Sequence, residues 1–377
     1  MKKAVVFCLL VFLFCGCANK KTTHKIIGNP SAQQYTEKNA VSRNPWDMAV
    51  YGGKLYVGAG DYDQNTGPAK VSEYSISKRS WKLSASLPDE QISRFKLIDG
   101  VLYAPGIDPK SDWSTGNLYY NDTKKWQTLS NIPDAVHLFD VVKFGDKIFY
   151  GIGTANDTIA PVKVSSDQKQ YTDVNFYKGE QKLTEQNQFG YLRAYDFFIL
   201  NRELYCAVHH PLKNGQNTGE FGNGGIYRYD GTAFRYHAPY YSDALQTKFV
   251  AYVPLPASET LGNQVYLAAG YLYKTQDFIN YTEIKMPDES TVVDILQENG
   301  KLYILSKLQL SDGTFRTTVW RLEEQPVLIY SFDFGLGGMS FAKDGSTFYV
   351  GIGEVEEEIY KTKKDLIGTV IEIKNAQ

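Results

Sequence analysis

Asp47-Met-Ala-Val-Tyr-Gly-Gly-Lys-Leu-Tyr56-Val-Gly58 is the stretch on which the fold turns. Two short apolar runs flank a Gly52-Gly53 pair, and glycine supplies the positive φ that a tight hairpin needs, so the phrase reads strand, turn, strand. The same phrase returns, with the same internal spacing, at Arg94–Tyr103, Asp140–Phe149, Asp196–Tyr205, Asp294–Tyr303 and Ser340–Tyr349. A seventh copy ends at Tyr266, its first half blurred by an insertion around Pro254-Leu-Pro-Ala257. After a longer loop each copy continues into a third and fourth strand, as in Lys70–Ile76 and Trp81–Ala85. Four-stranded units that recur at roughly 45–50 residues stack radially as propeller blades. The fold class predicted is all-β: a seven-bladed β-propeller of four-stranded antiparallel blades.

The C-terminal run Gly368-Thr-Val-Ile-Glu-Ile-Lys374 aligns with third strands such as Gly225–Tyr229, which leaves the last unit one strand short. An open edge is a template for unwanted pairing. A segment within His24–Glu37, either Lys25–Ile27 or Gln34–Thr36, is therefore expected to close the ring. The chain divides into a signal at 1–16, a tether with the closing strand at 17–40, and a single propeller domain at 41–377.

Two further stretches, Trp81-Lys-Leu-Ser-Ala-Ser-Leu-Pro88 and Trp126-Gln-Thr-Leu-Ser-Asn-Ile-Pro133, place a Trp after the third strand and a Leu-Pro or Ile-Pro beyond it. In this the first two repeats resemble Kelch-type repeats. Where Kelch repeats carry a double glycine, this chain has Gly58-Ala-Gly60, Gly151-Ile-Gly153 and Gly351-Ile-Gly353. The resemblance implies an architecture and no activity.

Met1-Lys2-Lys3 is followed by an apolar run, Ala4–Cys15, that is shorter than the roughly 20 residues a membrane-spanning helix needs. It ends in Phe14-Cys15-Gly16-Cys17, which resembles a bacterial lipoprotein signal and implies lipidation at Cys17 after cleavage. The expected location is the bacterial cell envelope, on the extracytoplasmic side of a membrane, with the lipid as the sole membrane contact. Cys8 and Cys15 fall in the signal, so Cys206 is the one remaining thiol and the domain has no internal disulfide to hold it.

A formal net charge of −2 offers no basic field for phosphate, which excludes nucleic acid as a partner. Aromatic residues make up 14% of the chain, and one per repeat belongs to the strand phrase itself. There is no phosphate loop, nucleophile elbow or paired Cys/His metal signature. Catalytic residues are not identifiable.

The loops before each first strand and between second and third strands share one face, and loops on a rigid frame are where binding usually resides. That face collects Trp46, Asp47, Arg94, Asp140, Arg193, Asp196, His209, His210 and Asp294 as ligand-binding candidates. Asp47, Asp140, Asp196 and Asp294 each stand nine residues before the second-strand aromatic. Converging carboxylates suit a cation, whereas a residue recurring in most repeats suits a loop hydrogen-bond acceptor. Arg94 and Ser340 interrupt the series. Arg94 either pairs with Asp47 or Asp140 or clamps an acidic ligand bidentately.

Asp61, Asp63 and Asn65 alternate as the opening of a calcium loop does, but position twelve is Ser72 rather than Glu; no other cofactor is implied. His209-His210 open a Gly- and Asn-rich connection that reads as a flap over the channel. The function expected is a ligand- or protein-binding module, its partner a cell-envelope protein or glycan. The alternative is an enzyme acting on carbohydrate or sugar acid at the channel mouth.

Overall fold

The computed structural model describes residues 22–32, 34–35, 37–61, 66–110, 113–154, 160–183, 192–209, 224–239 and 257–375. Each repeat phrase forms its hairpin: Asp47–Tyr51 pairs with Lys54–Gly58 across Gly52 (φ 56°) and Gly53 (φ 72°). The second-strand aromatics Tyr56, Tyr103, Phe149, Tyr205, Tyr266, Tyr303 and Tyr349 are all buried. Their ring faces fill the spaces between neighbouring sheets, which is why the phrase keeps an aromatic there. This use accounts for a share of the aromatic content as core rather than as ligand surface.

The protein is an all-β propeller with four-stranded blades, but the expected number of blades is corrected. Five discrete four-stranded sheets form, not seven. They are built on the inner strands Asp47–Tyr51, Lys96–Ile98, Ala257–Leu261, Thr291–Glu298 and Gly338–Asp344. The strands of the third and fourth repeats run instead into one twelve-stranded sheet. They join where Gly153 pairs with Arg193. A Cβ at Gly151 would stand 2.6 Å from the Ala194 carbonyl oxygen, so the missing side chain lets the two backbones come within bonding distance. The composite sheet also takes in Phe176–Lys178, laid parallel on Phe234–Pro239, and the short pair Asp89–Gln91 and Ile107–Pro109 on His137.

The ring closes through the N-terminus. Thr23–Gly28 pairs antiparallel with Val370–Lys374 and becomes the outer strand of the last sheet. The indole N–H of Trp81 donates to the Ile27 carbonyl at 2.8 Å, tying the first sheet to that strand. Trp126 likewise donates to Ser84 Oγ at 3.0 Å. The two Trp residues that carry the Kelch-like pattern thus link each sheet to its predecessor. Beyond the closing strand, Asn44 is fully buried, exchanging hydrogen bonds with the backbone of Glu354 at 3.0 and 2.9 Å.

All inner strands start at one end of the axis, the loop face, and run to two-residue turns at the other, the turn face. The connections 62–65, 155–159, 210–223 and 240–256 join strand ends on the loop face.

Candidate functional site

The first residues of the inner strands meet around the channel mouth, and three of the aspartates share one bonding pattern. One carboxylate oxygen of Asp47, Asp140 and Asp294 accepts the N–H of the following residue, at 2.7, 2.9 and 2.8 Å. The other accepts an N–H from the next repeat, in or immediately before its inner strand: Phe95 at 2.5 Å, Phe197 at 2.9 Å and Phe341 at 3.0 Å. Each carboxylate is a staple between neighbours, satisfying N–H groups that burial would otherwise orphan.

The departures from the repeat complete the same circuit. Arg94 Nη1 lies 3.0 Å from Asp196 Oδ1 and 3.3 Å from Asp140 Oδ2, and Lys96 Nζ lies 3.2 Å from Asp140 Oδ1. Asp196 accepts the Ser258 hydroxyl at 2.7 Å. Glu259 accepts the N–H of Gln297, and the Ser340 hydroxyl donates to the Pro45 carbonyl at 2.5 Å. Every junction from one repeat to the next is bridged by a side chain at this level. Of the two partners expected for Arg94, Asp140 is engaged; Asp196, two repeats away, is an addition.

Glu259 is a member of this circuit that sequence reasoning missed. The position equivalent to Asp47 in the fifth repeat is Ala257, opposite Ala268, and the acid has moved two residues along the strand. An acidic residue displaced beside the insertion was the available signal.

Burial sets the charge states here. It pushes the Asp47 carboxyl up to about 6, against its two N–H bonds and the nearby Arg94 and Lys96. Glu259 is pushed up to about 7 by burial, and Asp294 well above the usual carboxylate range by burial and then by Asp47. For Asp140, burial is outweighed by Lys96 and Arg94, which hold it low; Asp196 is raised by burial and by the Asp140 charge. Asp140 is therefore the ionised member and Asp196 takes up the first proton.

Groups raised in the folded state bind protons that the unfolded chain has released, so their contribution is complete below the ordinary carboxylate pKa and is lost as pH rises through about 7. Depressed groups such as Asp140 and Glu354 titrate below this window. Calorimetry should accordingly find a higher Tm at pH 5 than at pH 8. Each raised group contributes on the order of 1–3 kcal/mol across the window, at about 1.4 kcal/mol per pH unit of displacement. Glu259→Gln, which keeps an acceptor for Gln297 but cannot titrate, should flatten the slope; a Tm independent of pH would count against this electrostatic assignment.

Below the mouth lies a cavity of about 560 Å³, lined by inner strands of the first, second, fifth, sixth and seventh repeats. Trp46, Asp47, Arg94 and Asp294 among the candidates line it, with Lys96 and Glu259. Asp140, Arg193 and Asp196 do not; the two aspartates are buried behind the wall. Trp46 is itself buried, its indole N–H on the Gly60 carbonyl at 2.6 Å. For His209 only the backbone is described, opposite Arg193. His210 lies outside the described residues, as do Cys17, Asp63 and Asn65.

Asp61 is buried, and its N–H donates to the Glu90 carbonyl at 3.0 Å. Beside it stands a second acidic group: Asp89, held by Tyr119 and by Asn117 at 3.1 Å, Glu90, and Asp108, whose Oδ1 is 2.8 Å from His137 Nδ1. Among the described residues no cluster of three or more His, Cys, Asp or Glu side chains is arranged to hold a metal ion. Cys206 is buried, and burial raises its thiol well above the usual range, so it stays protonated and unreactive.

No family model and no curated protein matches the sequence. Solved structures do match. PorZ of Porphyromonas gingivalis, described as an essential bacterial surface component of the type-IX secretion system, is 10% identical, with a TM-score of 0.51 over 88% of this chain and 46% of its own. The β-propeller domain of the Trilobed protease from Pyrococcus furiosus is 11% identical, with a TM-score of 0.46 over 81% of this chain and 87% of its own. The likeness is one of fold. Propellers host unrelated activities, so function has to be argued from the loop face of this chain.

Proposed function

We propose that the chain is an extracytoplasmic lipoprotein, anchored to a bacterial membrane at Cys17, whose propeller binds a cell-envelope protein or glycan by its loop face. The observation that carries this reading is a division of labour on that face. The charged side chains at the mouth hold one another and the backbone, whereas Trp113, on the same face between Ile107–Pro109 and Thr115–Asn121, is 63% exposed. A sugar-acid enzyme with Arg94 as its clamp would have to release that guanidinium from two buried carboxylates. An exposed Trp on the loop face suits stacking on a sugar ring or anchoring a protein contact. PorZ, a surface component of the same fold, supports the envelope setting.

The test uses the chain from residue 20, free of the lipid site, on an array of glycans and sugar acids and, in parallel, cross-linked in envelope extract. Saturable binding to one component is expected, weakened roughly tenfold by Trp113→Ala. Turnover of an arrayed sugar acid, or binding that Trp113→Ala leaves unchanged, would overturn this reading.

A further inference from the structure

Given the lipid anchor proposed above, the strand topology assigns which way the propeller faces. Val370 lies opposite Gly351 near the loop face, and the strand descends to Ile373, opposite Phe348, and Lys374 near the turn face. The closing strand runs against it, from Thr23 opposite Lys374 up to Gly28 opposite Val370. Thr23 therefore stands at the turn face. Five residues separate it from Cys17, and a tether of that length spans at most about 20 Å when fully extended. The closing strand itself carries the chain a further ~17 Å towards the loop face.

We propose that the turn face lies against the lipid bilayer and that the loop face points away from it. The surface chemistry agrees with the reach of the tether. Of the eight exposed large hydrophobic residues among those described, five are at the turn end: Leu97, Ile199, Ile279, Val327 and Leu328. Trp113 belongs to the loop face. Val327 and Leu328 are in the strand whose Tyr330 hydroxyl bonds His24 Nδ1 at 2.8 Å and whose Phe332 stacks on the His24 ring at 5.2 Å. Two of these apolar side chains, Val327 and Leu328, are thus in the strand that contacts the closing strand where the tether meets the domain.

The tether sequence also carries Lys20 and Lys21 within four residues of Cys17, and basic residues near a lipid anchor are attracted to an anionic leaflet. Among the described residues the turn-face connections are short, the longest being 166–171. Short connections let such a surface approach a membrane, while the strand ends that the long connections join lie on the opposite face. In this orientation the proposed binding face reaches outward to partners instead of being occluded by the lipid.

The experiment reconstitutes the full lipidated chain into vesicles of phosphatidylethanolamine and phosphatidylglycerol that carry an acceptor dye on a fraction of the headgroups. A donor dye is attached through Lys124→Cys on the turn face or Glu358→Cys on the loop-face helix Glu357–Lys363, both exposed positions; the native Cys206 is buried and does not label. Energy transfer should be at least twofold more efficient from Lys124→Cys. Inserting about thirty Gly and Ser residues after Ala18 should remove the difference, because such a linker no longer restricts orientation.

Equal transfer from the two sites with the native tether, or stronger transfer from Glu358→Cys, overturns the orientation while leaving the anchor in place. A mature N-terminus without lipid at Cys17 by mass spectrometry, or Cys17→Ser that stays in the membrane fraction, overturns the anchor, and the orientation with it.

Discussion

Arg94→Met is expected to lower the unfolding free energy by about 3–5 kcal/mol, the cost of breaking a buried ion pair by removing one partner. Methionine retains the aliphatic packing of the arginine stem, so the loss reports the guanidinium. Without it Asp196, 1% exposed, keeps the Ser258 hydroxyl, its hydrogen bond with Asp140 and the more distant Lys96, and Asp140, fully buried, keeps Lys96 and its two N–H donors. Denaturant titration of the double variant Arg94→Met/Asp196→Asn should recover part of the loss, since a neutral amide still accepts from Ser258. A coupling of at least ~1 kcal/mol is expected for residues in direct contact. The cost should shrink at pH 5, where Asp196 has taken up its proton. A single-variant cost below ~1 kcal/mol would mean that Arg94 is not a brace and is available to a ligand.

Removing the closing strand should have the second large effect. A chain starting at Asn29 loses the ladder from Thr23 to Gly28 and leaves the Trp81 indole N–H without the Ile27 carbonyl. It also loses the Lys25 contact to Glu372, a residue almost fully buried. At about 1 kcal/mol per net hydrogen bond, and more for a buried donor left unpaired, the total is on the order of 5 kcal/mol. The freed edge at Val370–Lys374 should also promote self-association. Adding a synthetic peptide of residues 22–29 should raise the Tm of the truncated chain, as strand addition to an open edge does. If the truncated chain stays monomeric with an unchanged Tm, the N-terminal strand is not what closes the ring.

The repeat made much of this legible in advance. Hairpins at Gly52-Gly53 and its counterparts follow from local chemistry, because positive φ and alternating apolar residues need no distant partner. The missing final strand was legible by counting, and the N-terminal candidate Lys25–Ile27 lies within the strand that fills the place. The number of separate blades was not. The third and fourth repeats join where Gly153 pairs with Arg193, and a strand pattern does not say which ends of neighbouring sheets will pair. Arg94 was visible as an interruption among aspartates, but its partner Asp196 is 102 positions away. Glu259 was hidden because the insertion before it shifted the acid out of register.

By itself the sequence determined the repeating strand–turn–strand unit and the aromatic that each unit buries, along with the need for a terminal strand to finish the ring. These depend on periodicity and turn chemistry within a few dozen residues. Only the tertiary structure decided which sheet edges fuse, which acids are ionised and which charges pair. Those outcomes depend on burial and on approach between segments that belong to different repeats, where a carboxylate out of water must find an N–H, a hydroxyl, a cation or a proton.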